Sequence, residues 1–109
     1  MTDTFLENEL KGNLSATFKG EQIPDYMHSP VLLYITKGIP TGDFLRAVIS
    51  NDLKTAVGRA DDENIKALAA YVSFFYMNAP SGCWGSPQAY DAWLSSGGLY
   101  GSSSDGEAA

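Results

Sequence analysis

With 109 residues, 44% of them hydrophobic and 18% charged, and a formal net charge of −6, the chain amounts to a single domain with a modest core. The composition excludes several classes. Clustered Lys and Arg able to neutralise phosphates are absent, so direct nucleic-acid binding is not expected, and no run approaches the ~18 apolar residues of a membrane helix. The lone Cys83 cannot form an internal disulfide, and Met1-Thr2-Asp3-Thr4 lacks the basic start and apolar stretch of a secretory signal. Both point to a reducing cytoplasm.

In chain order, Phe5, Leu6 and Leu10 fit a helical stripe. Leu14 to Phe18, before Lys19-Gly20, reads as a short extended piece, which makes 1–25 a less regular, partly ordered N-terminal segment. The core domain, 26–98, reads as four short helices. The first runs from about Ser29 as N-cap and Pro30 at the first helical position to Lys37, stopped by Gly38. The second opens at Pro40-Thr41-Gly42-Asp43 and continues to Gly58, with Phe44, Leu45, Val48, Ile49, Leu53, Ala56 and Val57 as one apolar stripe. The third starts in Asp61-Asp62-Glu63, whose carboxylates suit a helix N-terminus, and runs through Met77. The fourth spans Ser86-Pro87 to Leu94, with Gly97-Gly98 beyond its end. The tail, 99–109, is dominated by Gly, Ser and acids and reads as disordered after about Tyr100. The fold class is thus mainly α, a small bundle of about four short helices.

Charge is distributed unevenly. Between His28 and Gly98 five basic residues face six acidic ones, so the centre is nearly neutral and the terminal segments hold most of the excess. A nucleic-acid mimic needs carboxylates arrayed on a rigid face, and this distribution does not supply them.

The third helix is apolar on nearly every side from Leu68 to Met77. Such a helix is either enclosed by its own domain or shared with a partner, and three short helices enclose it with difficulty. Tyr71 and Phe74 are its candidate partner-binding residues, and a homo-oligomeric or partner-facing surface is the expectation.

Catalytic chemistry finds no motif. His28 and Cys83 are the only residues of their types, and Cys83 sits in the Gly-rich turn Pro80-Ser81-Gly82-Cys83-Trp84-Gly85, where a small thiol beside an aromatic more often packs than reacts. Asp61-Asp62-Glu63 is spaced for helix capping and not for a cation loop, so neither a metal nor another cofactor is expected. The loop into the fourth helix is the most suggestive binding element. It sets the Trp84 ring beside the free N–H groups of the Ser86 helix start, a combination able to stack a base and hold an anion, with Arg46 or Arg59 supplying charge. The competing reading is an ordinary turn with Trp84 filling the core. Asn51 and Asp52, beside the apolar stripe of the second helix, are further candidates for a polar site.

Several blocks in one order also carry a family resemblance. They are Ile23-Pro24-Asp25, Met27-His28, Tyr34-Ile35, Gly38-Ile39-Pro40, Gly42 to Val48, Asn51-Asp52-Leu53, Arg59 to Asn64, Ala79-Pro80, and Gly85-Ser86-Pro87 with Trp93. Over this stretch the chain resembles a group of small proteins encoded by bacteriophages and prophages of proteobacteria, departing at Tyr26 and Trp84, where a basic residue and a histidine are more usual. The resemblance implies a phage accessory protein working in the bacterial cytoplasm. Three functional classes follow in order: a non-enzymatic protein that binds a host or phage macromolecule, as in counter-defence or host takeover; an oligomeric protein that sequesters a nucleotide-type small molecule; and an unrecognised small enzyme.

Overall fold

The computed structural model describes residues 4–101, with side chains from Phe5 onward. Its elements are α1 (Thr4–Leu14), a single 3-10 turn (Asp25–Met27), α2 (His28–Lys37), α3 (Asp43–Ile49), α4 (Leu53–Arg59), α5 (Asp62–Lys66), α6 (Leu68–Met77) and α7 (Pro87–Ser96). The mainly helical class holds, and the expected four helices prove too few, because two long expected helices are each broken in two and α1 forms in the N-terminal segment.

The first break falls at Ser50-Asn51-Asp52. Asn51 takes φ 63, a left-handed conformation that Asn tolerates better than most residues, and Asp52 then accepts a hydrogen bond from the Thr55 N–H at 3.2 Å as N-cap of α4. The consequence is a change of face. Phe44, Leu45, Val48 and Ile49 of α3 are buried as expected, but in α4 only Ala56 is, and Leu53 and Val57 point outward. The second break is at Ala67, between α5 and α6. Here a single turn residue, Ala67 (φ −92, ψ 5), separates them: its N–H donates back to the Glu63 and Asn64 carbonyls to close α5, and its own carbonyl accepts from the Tyr71 N–H to open α6.

Two helix ends behave as the sequence indicates. Asp61 caps α5 through the Asn64 N–H at 2.7 Å, and Ser86 caps α7 through the Ala89 N–H at 3.0 Å with Pro87 in the first turn. Ser29 is not a cap: α2 begins at His28, two residues before the expected start at Pro30 and continuing from the 3-10 turn, and Pro30 is accommodated in the first turn. Gly38 ends α2 with φ 66.

The N-terminal segment is more regular than expected. Helix α1 continues to Leu14, whose side chain is fully buried with Leu10 and Ile23, whereas Phe5 is exposed. The expected extended piece is replaced by a tight turn in which Phe18 and Glu21 exchange backbone hydrogen bonds around Lys19 and Gly20, both at positive φ. Helical backbone resumes at 98–101. Leu99 packs on the core, and the Tyr100 hydroxyl donates to the Glu7 carboxylate at 2.7 Å, so the chain is tied to α1 as far as Tyr100. The disorder expected beyond concerns residues outside those described.

The core is one cluster whose polar groups are internally satisfied. The Tyr34 ring stacks on Tyr90 with centroids 5.3 Å apart, and its hydroxyl donates to the Cys83 carbonyl at 2.7 Å. The Trp93 indole N–H is shared between the Tyr34 and Ile35 carbonyls at the end of α2. These contacts lock α2, α7 and the 80–86 loop together.

Candidate functional site

Three concavities surround the α3–α4 elbow and the α5–α6 helix pair. A crevice of about 40 Å³ with room for water only is lined by Asn51, Asp52, Leu53, Leu68, Val72 and Trp84. A polar cleft of about 340 Å³ adjoins it, between Asp43, Arg46, Asp52, Thr55, Arg59 and Pro87. On the other side of Leu53 and Val72 lies an open apolar groove of about 700 Å³, formed by Leu53, Ile65, Ala69, Val72, Tyr76 and Met77 with Phe18 at its margin.

The expected site residues are thus divided. Trp84 is half-buried, and its ring stacks on Phe75 with centroids 5.9 Å apart, so much of its π-face is already engaged. The next residue, Gly85, donates its N–H to the Ile49 carbonyl at 2.7 Å, which pins the loop to the end of α3. The ring therefore lines the small crevice while the start of α7 faces the polar cleft, and the stacking-plus-anion arrangement expected for Trp84 and Ser86 is not assembled in one cavity. The Ser86 hydroxyl is occupied as a cap.

Arg46 and Arg59 do share the polar cleft. Arg46 lies over the Tyr90 ring at 5.3 Å, which extends the Tyr34–Tyr90 stack to the surface. Arg59 reaches Asp43 at 3.7 Å, both side chains being largely exposed, so the pair is worth little. Asp43 and Asp52 in the same cleft oppose an anion. Asn51 and Asp52 are explained by the elbow they build.

Tyr71 and Phe74 are buried in the core and unavailable to a partner. The Tyr71 hydroxyl donates to the buried Asn64 side-chain carbonyl at 2.5 Å, a contact internal to the α5–α6 pair. The surface of α6 is instead Val72, Tyr76 and Met77, with Tyr76 78% and Met77 70% exposed, continued by Ile65 and by Leu53 at 64%. These residues escaped the sequence reading because a helix apolar all round does not reveal which side is inward. Asn64, seven residues before Tyr71 and so on the same helical face, is the signal that marks the buried side.

Titration properties favour a structural role for the buried groups. Desolvation pushes the Cys83 thiol up to about 12, so it is a poor nucleophile at neutral pH. Burial likewise raises the Tyr34 and Tyr71 hydroxyls. At the surface, the hydrogen bond to Asp61 raises the Tyr26 hydroxyl to about 12, and the same bond, with the Asn64 N–H, lowers the Asp61 carboxyl. Among the described residues no group of three or more His, Cys, Asp or Glu is placed to hold a metal ion, and no helix is long and apolar enough to cross a membrane.

Comparison with known proteins returned no matching family model, no matching curated protein and no matching solved structure.

Proposed function

We propose that this chain is a non-enzymatic binding protein, a bacteriophage or prophage accessory factor of the bacterial cytoplasm that modulates a host or phage process by docking a macromolecule. The observation that supports this reading is the apolar groove along α5 and α6. Monomeric proteins seldom leave large apolar side chains contiguous on their surface, and those that do commonly use them for association. Here Leu53, Val72, Tyr76 and Met77 form such a surface on a chain that is otherwise acidic. The test is to express the chain in host strains with defined defence systems and measure plating efficiency of challenging phages, beside a folded Tyr76→Glu variant. The wild type is expected to change plating on at least one strain and the variant on none; equal behaviour of the two would refute a role for this face.

A second reading, sequestration of a nucleotide-type anion, is favoured by the convergence of Arg46 and Arg59 on one cleft beside the start of α7. Its two carboxylates weigh against it. The discriminating measurement is whether an ultraviolet-absorbing compound leaves the purified protein on denaturation.

A further inference from the structure

We infer that the α5–α6 face pairs with itself: a second copy of this chain lays its own α6 antiparallel across Ile65, Ala69, Val72 and Tyr76. This deepens the binding role proposed above and rests on it, naming the occupant of the apolar face.

The first argument is pattern. Residues 65, 69, 72 and 76 recur at intervals of four, three and four, the seam spacing with which one helix packs along another, and across the turn at Ala67 all four line the same groove. The seam carries a small side chain, Ala69, where two helices need to approach closely, and large ones, Tyr76 and Met77, at the end. Leu53 from α4 widens it on one side.

The second argument is area. The exposed fractions of Leu53 (64%), Ile65 (40%), Val72 (43%), Tyr76 (78%) and Met77 (70%) amount to about 600 Å² per copy. Two copies that covered all of it would bury at most about 1,200 Å², the lower end of what a specific dimer needs.

The third argument is charge. Two copies of a chain of net charge −6 repel over most of their surface, and among the described residues no carboxylate lines this groove. Its one charged lining residue among those described is Lys66. Parallel pairing would set Lys66 against its own copy, whereas antiparallel pairing sets it beside the C-terminal turn of the facing α6, which has no basic residue and whose unsatisfied carbonyls carry partial negative charge. Pairing of this kind is isologous, with Ala69 of each copy facing Val72 of the other.

Sedimentation velocity of the full chain from low micromolar to about 100 µM tests this. The wild type is expected to move from the 11.7 kDa chain mass towards twice that value. Val72→Glu and Ala69→Lys, each checked for helicity by circular dichroism, are expected to stay at the chain mass alone and to recover pairing when mixed, because the antiparallel register brings Lys at 69 onto Glu at 72. Should Val72→Glu fail to fold, Tyr76→Glu replaces it as the disrupting variant, its side chain being largely solvated already. A wild type that stays at the chain mass throughout, or a folded disrupting variant that still pairs, overturns the proposal; failure of the mixed variants to recover overturns the antiparallel register. A purified chain that stays monomeric while a foreign subunit occupies the same face would sink the self-pairing and leave the binding role standing.

Discussion

Gly98 lies so close to Gly38 that a Cβ on Gly98 would stand 2.5 Å from the Gly38 backbone nitrogen, with the Lys37 nitrogen and Thr36 carbonyl carbon each at 2.7 Å. Both glycines have positive φ, 66 for Gly38 and 76 for Gly98. The end of α2 and the turn after α7 therefore meet backbone to backbone, a closeness that only glycine permits. Gly98→Ala is expected to destabilise the fold by about 3 kcal/mol or more, since it combines overlap with backbone atoms and a disfavoured conformation. Thermal unfolding followed by circular dichroism reads this as a drop in Tm of more than about 10 °C.

Gly12 gives the opposite case. It sits inside α1 with nothing within 4 Å of the position of a Cβ and without positive φ. Gly12→Ala is expected to stabilise by about 0.5–1 kcal/mol, through helix propensity and a less flexible unfolded chain, and the same melting experiment will show Tm rising.

Removing the Tyr71 hydroxyl isolates the side-chain carbonyl of Asn64, which is buried and takes its hydrogen bond from that hydroxyl. Tyr71→Phe is expected to cost about 1–3 kcal/mol in urea unfolding with little change in slope. A neutral result would mean that water reaches Asn64.

Alkali should unfold the protein cooperatively. Tyr34, Tyr71 and Cys83 are held protonated by burial, Cys83 up to about 12, and Tyr26 is raised to about 12 by Asp61. Folded values above unfolded ones mean that these groups contribute stability at pH below about 9–10, where both states are protonated. That contribution is lost as pH rises towards the folded values, because the unfolded chain gives up its protons first. The tyrosinate absorbance of Tyr34 and Tyr71 should accordingly appear together with helix loss. On the acid side Asp61 acts with the opposite sign, its small contribution being present above the usual carboxylate range and lost as pH falls through its lowered folded value.

Helix ends were more legible in the sequence than helix continuity. Ser86-Pro87, Asp61 and Gly38 mark boundaries through local chemistry, and the structure keeps them. The apolar stripe through Phe44, Val48, Leu53 and Val57 concealed the break at Asn51, although Asn before an Asp three residues ahead of Thr55 is itself a stop followed by a cap. Asn51 and Asp52 stand out in the sequence as polar groups beside an apolar stripe, whereas in the structure both are exposed and build the elbow; Ser86 is a helix cap in both. Tyr71 and Phe74 lie in a helix whose composition hides its phase, and only the direction of packing distinguishes them from the exposed Val72, Tyr76 and Met77.

The most direct test of the account is native mass spectrometry of tagged chain gently purified from a bacterial lysate, wild type beside Tyr76→Glu. Tyr76 is 78% exposed, so this change should alter stability by no more than about 0.5 kcal/mol and leave the fold intact. The account predicts assemblies heavier than the 11.7 kDa chain for the wild type and the bare chain for the variant. Identical spectra from the two proteins would contradict it.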